Sequence, residues 1–178
     1  MKKRNNINSL LSKIALWVIK KAVEYKEGEI LKCHSRFLSF GDYIFDRWER
    51  AQKLGFGEGS SVYDNVLVIG DVKVGKNCWI GPNTILDGSG GLVIGDNCAI
   101  SSGVHIYSHS SVGRIVVNEA TEKKEVVIGS NTYIGPNSII AMGTIIGNNC
   151  AVGALSFVNG LHIPNNSKCY GIPAKLIT

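Results

Sequence analysis

Aliphatic residues recur at every sixth position through most of the chain. The series runs Val62, Val68, Val74, Ile80, Leu86, slips by two residues across Asp87–Val93, and resumes at Ile94, Ile100 and Ile106. A polar stretch interrupts it, after which it continues as Ile128, Ile134, Ile140, Ile146, Val152, Val158 and Pro164. Glycine often follows the aliphatic residue, as at Gly75, Gly81, Gly95, Gly129, Gly135, Gly147 and Gly153. Four residues on stands a small or β-branched one, such as Cys78, Thr84, Cys98, Val104, Thr132, Ser138, Cys150 or Ser156. A six-residue period fits neither an amphipathic helix nor an alternating strand, and predicts a hexapeptide β-helix. Three hexads close one triangular coil, so the fifteen positions make about five coils. Each aliphatic side chain points to the axis and is buried only when coils stack. Asn65, Asn77, Asn83, Asn97, Asn131, Asn137 and Asn148 are expected at the corners, because Asn tolerates the positive φ of a tight turn.

The first 58 residues have a different texture. Apolar residues at 7, 10/11, 14 and 17/18 lie on one face at helical spacing, flanked by lysines. That face suits packing on the body of this or a neighbouring subunit, or contact with a membrane surface. Tyr43–Lys53 is a second helical candidate, followed by the turn Gly55-Phe56-Gly57-Glu58-Gly59. The expected architecture is an all-β fold: a parallel β-helix over 59–178 with an N-terminal helical segment over 1–58. One loop protrudes at 110–125, and a cap covers 164–178, where Pro164 is expected to end the last strand.

Composition refines this in three ways. The 21 glycines carry no collagen period, so they belong to the repeat. The net charge of +5 leans on the N-terminal segment, which suits an anionic surface or substrate as well as a solvated face. Of five cysteines, Cys78, Cys98 and Cys150 occupy the small slot and are expected to be buried thiols. No CxxC pair is present, which argues for a reducing compartment and against zinc. No apolar run is long enough to cross a bilayer, and no cleavable leader is visible. A cytoplasmic protein is expected, with the inner face of the membrane as a contact surface.

Candidate chemistry lies where the period fails. His109 follows Ile106 by three residues, just where the loop leaves, so its imidazole is expected to be exposed and available as a general base. His105 is the rival base, outward-facing beside inward Ile106. With the two-residue slip, Asp87 stacks near Tyr107 and Ser89 near His109. Asp87 would then orient the imidazole, hydrogen-bond a substrate hydroxyl, or simply shape a Gly-rich turn. Glu119, Glu122 and Glu125 are further orienting candidates. His162 falls in the small slot of a late hexad and reads as structural.

The repeats, the segment Gly103-Val104-His105-Ile106-Tyr107-Ser108-His109, the protruding loop and the ending Gly171-Ile172-Pro173-Ala174-Lys175 resemble the hexapeptide-repeat acyltransferases, over about residues 60–178. The nearest likeness is to sugar O-acetyltransferases, including galactoside and maltose acetyltransferases and those of surface-polysaccharide clusters. The resemblance implies a left-handed β-helix, a homotrimer with active sites between subunits, acetyl-CoA as acyl donor, a saccharide acceptor and no metal. It implies His109 as catalytic base and Asp87, His105 and Tyr107 on the acceptor side. Gly135, Ala154 and Lys175 would lie along the coenzyme. Pro136 and Asn159-Gly160 depart from the family pattern, where Ser and Thr-Lys often stand. The alternatives are N-acetylation of an amino sugar, a γ-type carbonic anhydrase, and a non-catalytic scaffold. The anhydrase needs three zinc-binding histidines, which His105, His109 and His162 supply poorly.

Overall fold

The computed structural model describes residues 10–177 and divides into two compact units between Asp46 and Arg47. The first unit holds two helices, α1 (Leu10–His34) and α2 (Phe40–Ile44). Ile7, the start of the expected apolar face, lies outside the described residues. The second candidate helix proves to be two pieces: after α2 the backbone extends at Phe45, and α3 (Arg47–Lys53) starts anew in the second unit.

The second unit is a parallel β-helix. Its first face stacks 61–62, 79–80, 99–100, 133–134, 151–152 and 168–171, all parallel and in register at the aliphatic residue. The second face stacks 67–70, 85–88, 105–107, 139–140 and 157–158, and the third 72–74, 92–94, 126–128, 145–146 and 162–163. The predicted inward residues make the core, where Val62, Ile80, Leu86, Ile100, Ile106, Ile134, Ile140, Val152 and Val158 are fully buried; Val68, in the first coil, is only half-buried. At one corner the small slot forms an internal ladder. The hydroxyl or thiol of Ser60, Cys78, Cys98, Thr132 and Cys150 donates to Gly75 O, Gly95 O, Gly129 O, Gly147 O and Pro164 O of the following coil. The buried thiols are therefore hydrogen-bonding members of the wall as well as fillers. Burial and the neighbouring Cys78 sulfur push the Cys98 thiol well above its ordinary value; the largest influence is that of Cys78.

Two registers differ from expectation. The last coil is one residue short on its second-to-third corner, so Ile163, not Pro164, pairs with Ile146 and fills the core. His162 is thereby moved from the small slot to an exposed strand position opposite Ile145. Second, Asn149, not Asn148, has positive φ (56°), while the Asn148 side chain accepts from Ser130 N. Asn65 is not a positive-φ residue either; its side chain instead donates to Asn83 on the next coil.

The ends are closed differently. At the start α3 packs on the first strand, and the Arg50 guanidinium donates to the carbonyls of Tyr63, Asp64 and Val66. Arg47 stacks over the rings of Trp48 and Tyr63. At the far end, Lys168–Gly171 turns back as an antiparallel hairpin with Ala174–Ile177. The loop after His109 is not wholly irregular. His109–Ser110 pairs antiparallel with Glu122–Lys123, and a short helix α4 (Val112–Val116) forms its tip.

Candidate active site

The site grows from a failure of the repeat on one corner of the solenoid, between the second and third faces. In the second coil the strand runs on as Asp87-Gly88-Ser89-Gly90-Gly91 without a normal turn. One coil later the chain leaves at His109. Asp87 is paired with Tyr107 in register, as the slip predicts. Asp87 is fully buried, and one carboxylate oxygen, Oδ2, receives His109 Nδ1. The other, Oδ1, accepts from Ser89 N at 2.9 Å, the geometry of an Asx turn. Burial alone would push the Asp87 carboxyl up. The Ser89 hydrogen bonds and the His109 imidazole outweigh it and hold the group below the ordinary carboxylate range.

This fixes the imidazole. An ionised carboxylate only accepts, so Nδ1 carries the proton and Nε2 is left with its lone pair. The His109 side chain is one-third exposed while Asp87 is sealed beneath it. A base oriented by a buried carboxylate and open to solvent on its other nitrogen is the arrangement that takes a proton from a hydroxyl.

Ser108 is the residue that sequence reasoning passed over. Its hydroxyl is wholly buried, donates to Asp87 O at 2.7 Å and accepts from Gly90 N at 2.8 Å, tying the two irregular coils together under His109. Lys124 N in turn donates to Ser108 O at 3.0 Å. A side chain at Gly90 would run into the Ser108 carbonyl, so glycine is required for this approach. The only signal in the sequence was a polar residue between an inward Ile and the break, which exposed loops also show.

His105 and Tyr107 lie on the outer surface of the second face beside this corner. Their rings meet edge-to-face at 5.9 Å, with the Tyr107 hydroxyl 3.4 Å from His105 Nδ1. Gly135 and Ala154 lie elsewhere. They touch each other on successive coils, at the corner between the first and second faces. Lys175 sits in the terminal hairpin opposite Tyr170, beside a shallow groove of ≈ 420 Å³ lined also by Gly171, Pro173, Leu176 and Ile177. One chain thus brings Asp87, His105, Tyr107 and His109 together and leaves Gly135, Ala154 and Lys175 on other parts of the solenoid. Glu122 pairs with Ser110 in the loop hairpin, and Glu119, Glu122 and Glu125 are exposed. Among the described residues no group of three or more His, Cys, Asp or Glu is arranged to hold a metal ion.

The family model of the GMPPB C-terminal domain matches residues 62–169. WbbJ of Escherichia coli (strain K12), a candidate lipopolysaccharide-biosynthesis O-acetyl transferase, is 30% identical over 141 residues, covering 61% of this chain and 71% of WbbJ. The carnitine operon protein CaiE of Proteus (strain LE138) is 29% identical over 121 residues, 64% of this chain; the chain spans 61% of CaiE's length. A galactoside acetyltransferase solved with coenzyme A shares the fold at a TM-score of 0.63 and 21% identity, over 90% of this chain and 81% of that one. The chain belongs to the hexapeptide-repeat acyltransferase family. The kinship read from the repeats is borne out.

Proposed function

We propose that the protein transfers an acetyl group from acetyl-CoA to a sugar hydroxyl, with His109 as general base and Asp87 as the residue that orients it. The observation that carries this reading is the pairing of a sealed carboxylate with His109 Nδ1, which leaves Nε2 facing out at the loop exit. Nε2 takes the proton of the acceptor hydroxyl as its oxygen attacks the thioester carbonyl. A C–O bond forms, and the tetrahedral intermediate collapses with loss of the C–S bond. The imidazolium returns its proton to the departing thiolate. A direct transfer needs no covalent enzyme intermediate, only alignment of two substrates and a proton relay. His105 and Tyr107, beside the base on the same outer surface, are assigned to the acceptor.

The separation of Gly135 and Ala154 from His109 supports a site completed by a second copy of the chain. In a homotrimer, the small-residue corner of one subunit faces the His109 corner of the next, and the pantetheine arm lies between them. Lys175 meets a phosphate of the coenzyme. The outer column Leu67, Ile85, His105, Ile139 and Phe157 on the second face supplies an apolar surface for that contact, with Leu67 and Ile139 notably exposed. The acceptor is assigned to surface-polysaccharide or lipopolysaccharide synthesis, at the inner face of the membrane, as the likeness to WbbJ suggests. An amino-sugar acceptor would use the same base and is the second reading.

Thiol release from acetyl-CoA, measured against a panel of free, nucleotide-linked and lipid-linked sugars, tests the proposal. Transfer to a sugar hydroxyl is expected from the native protein and not from His109→Ala. Equal activity of the two proteins would remove His109 as the base. Stoichiometric zinc in active protein would favour the anhydrase reading instead.

A further inference from the structure

The net charge of +5 is not spread along the chain. Six of the nineteen Lys and Arg residues lie before Glu24: Lys2, Lys3, Arg4, Lys13, Lys20 and Lys21. None of the fourteen acidic residues does, so the rest of the chain is close to neutral and this segment carries the whole excess. The same segment contains the N-terminal part of α1, which has no buried residue anywhere along its length. There Leu10 (73%), Leu11 (78%), Trp17 (61%) and Val18 (52%) stand exposed with Ile14. At 100° per residue these fall on one broad arc that also takes in Lys21, with Lys13 and Lys20 together beyond its edge, while exposed Leu16 (61%) and Ile19 (44%) lie outside it. The twelve residues Leu10–Lys21 span only about 18 Å as helix. No helix among the described residues is long and apolar enough to cross a bilayer.

We infer that the Leu10–Lys21 part of α1 is a docking surface for an anionic lipid bilayer, on which it lies in the plane of the interface. Charge selects this occupant. A helix face that packed on a second copy of the chain would bring Lys13, Lys20 and Lys21 onto a body whose remaining charges leave a negative excess of only one. A bilayer rich in acidic headgroups supplies that countercharge and takes the apolar arc into its acyl boundary. Trp17 sits at the headgroup level that indole prefers. Glu24 pairs with Lys21 at 2.7 Å and Lys20 at 3.9 Å. Both pairs are exposed, and such contacts are readily exchanged for lipid phosphates. The inference adds a lipid-binding element to the proposed enzyme, and its failure would leave the transferase reading standing.

The test is co-sedimentation of the full chain with vesicles of phosphatidylcholine alone or with 30% phosphatidylglycerol, together with the emission maximum of Trp17 in a Trp48→Phe, Trp79→Phe background. Binding to the anionic vesicles only, with a blue shift of Trp17, is expected. Lys20→Gln with Lys21→Gln should weaken binding by roughly tenfold or more, and 0.5 M salt should do the same. Leu10→Ser with Ile14→Ser should abolish it. Equal partition onto neutral vesicles, or no binding to either, would overturn the inference. So would a change in oligomeric state in the Leu10→Ser, Ile14→Ser protein, because α1 would then be covered by another copy. Thiol release with a soluble acceptor is measured on the same proteins; if it is retained, the transferase reading is unaffected whichever vesicle result is found.

Discussion

Replacing Asp87 by Asn changes one atom in a sealed position and tests the site directly. The carboxylate accepts two hydrogen bonds, from Ser89 N and from His109 Nδ1. An amide has one acceptor. If its oxygen keeps Ser89 N, its NH2 group faces Nδ1 and forces the imidazole proton onto Nε2, where it blocks the base. If the amide is reversed, two N–H donors confront each other in a buried site, at a cost of about 1–3 kcal/mol. The first arrangement is the cheaper, so the protein should stay folded and lose rate. General-base catalysis contributes about 10²–10⁴-fold, and the same tautomer error in a Ser-His-Asp triad costs about 10⁴-fold. A drop in kcat of about 10²–10⁴, or roughly 3–5 kcal/mol of barrier, is therefore expected, with KM changed far less. Thiol release at saturating acetyl-CoA reads kcat, and thermal unfolding provides the control. Acid sensitivity gives a second reading. The folded Asp87 carboxyl is held below its unfolded value. Its contribution to stability is therefore present above about pH 4 and lost as pH falls through the folded value. The Asn variant should lack that part of the acid destabilisation. A kcat within threefold of the native value, with a lowered Tm, would refute the reasoning and leave Asp87 as a turn residue only.

Other consequences follow from the same contacts. Gly90→Ala puts a methyl group against the Ser108 carbonyl and should lower both Tm and transfer rate, at a cost of about 2 kcal/mol or more by chemical denaturation. Arg50→Ala frees three carbonyls at the start of the solenoid, and a loss of about 2–4 kcal/mol is expected, seen as an earlier melting of the first coil by hydrogen exchange. Ile134→Ala in the middle of the first face should cost about 2–5 kcal/mol in the same denaturation assay. Aromatic-disulfide titration should find one reactive thiol, Cys33, in the native protein and five after unfolding, since the other four are buried. More than one fast native thiol would contradict the sealed ladder.

The comparison of sequence with structure shows where each kind of information resides. A six-residue period is a local property. Any residue that breaks it exposes an aliphatic side chain or wastes a core position, so Val62 through Val158 could be read one by one. The slip before Val93 likewise gave the stacking of Asp87 on Tyr107, because register is a count. Counting failed at the last corner. One residue missing between Val158 and Ile163 is visible only as a choice between Ile163 and Pro164 for the core, and burial of the larger aliphatic side chain decided it. The apolar helix Val112–Val116 in a loop read as polar escaped for a related reason, as five residues give too short a window for a helical period.

Residue types and their spacing thus determined a β-helix, its family, its rungs and the three places where it departs from regularity. They also marked His109 and Asp87 as candidates, without deciding whether Asp87 oriented the imidazole or merely shaped a turn. The tertiary structure decided that Asp87 and His109, 22 residues apart in sequence, share a hydrogen bond, and that Ser108 clamps the two coils beneath them. The reason is physical. The hydrophobic effect that selects the inward aliphatic residues is non-directional and follows composition and period, whereas a hydrogen bond depends on direction and on tenths of an ångström. Those are set only when irregular corners of neighbouring coils are stacked on a rigid wall.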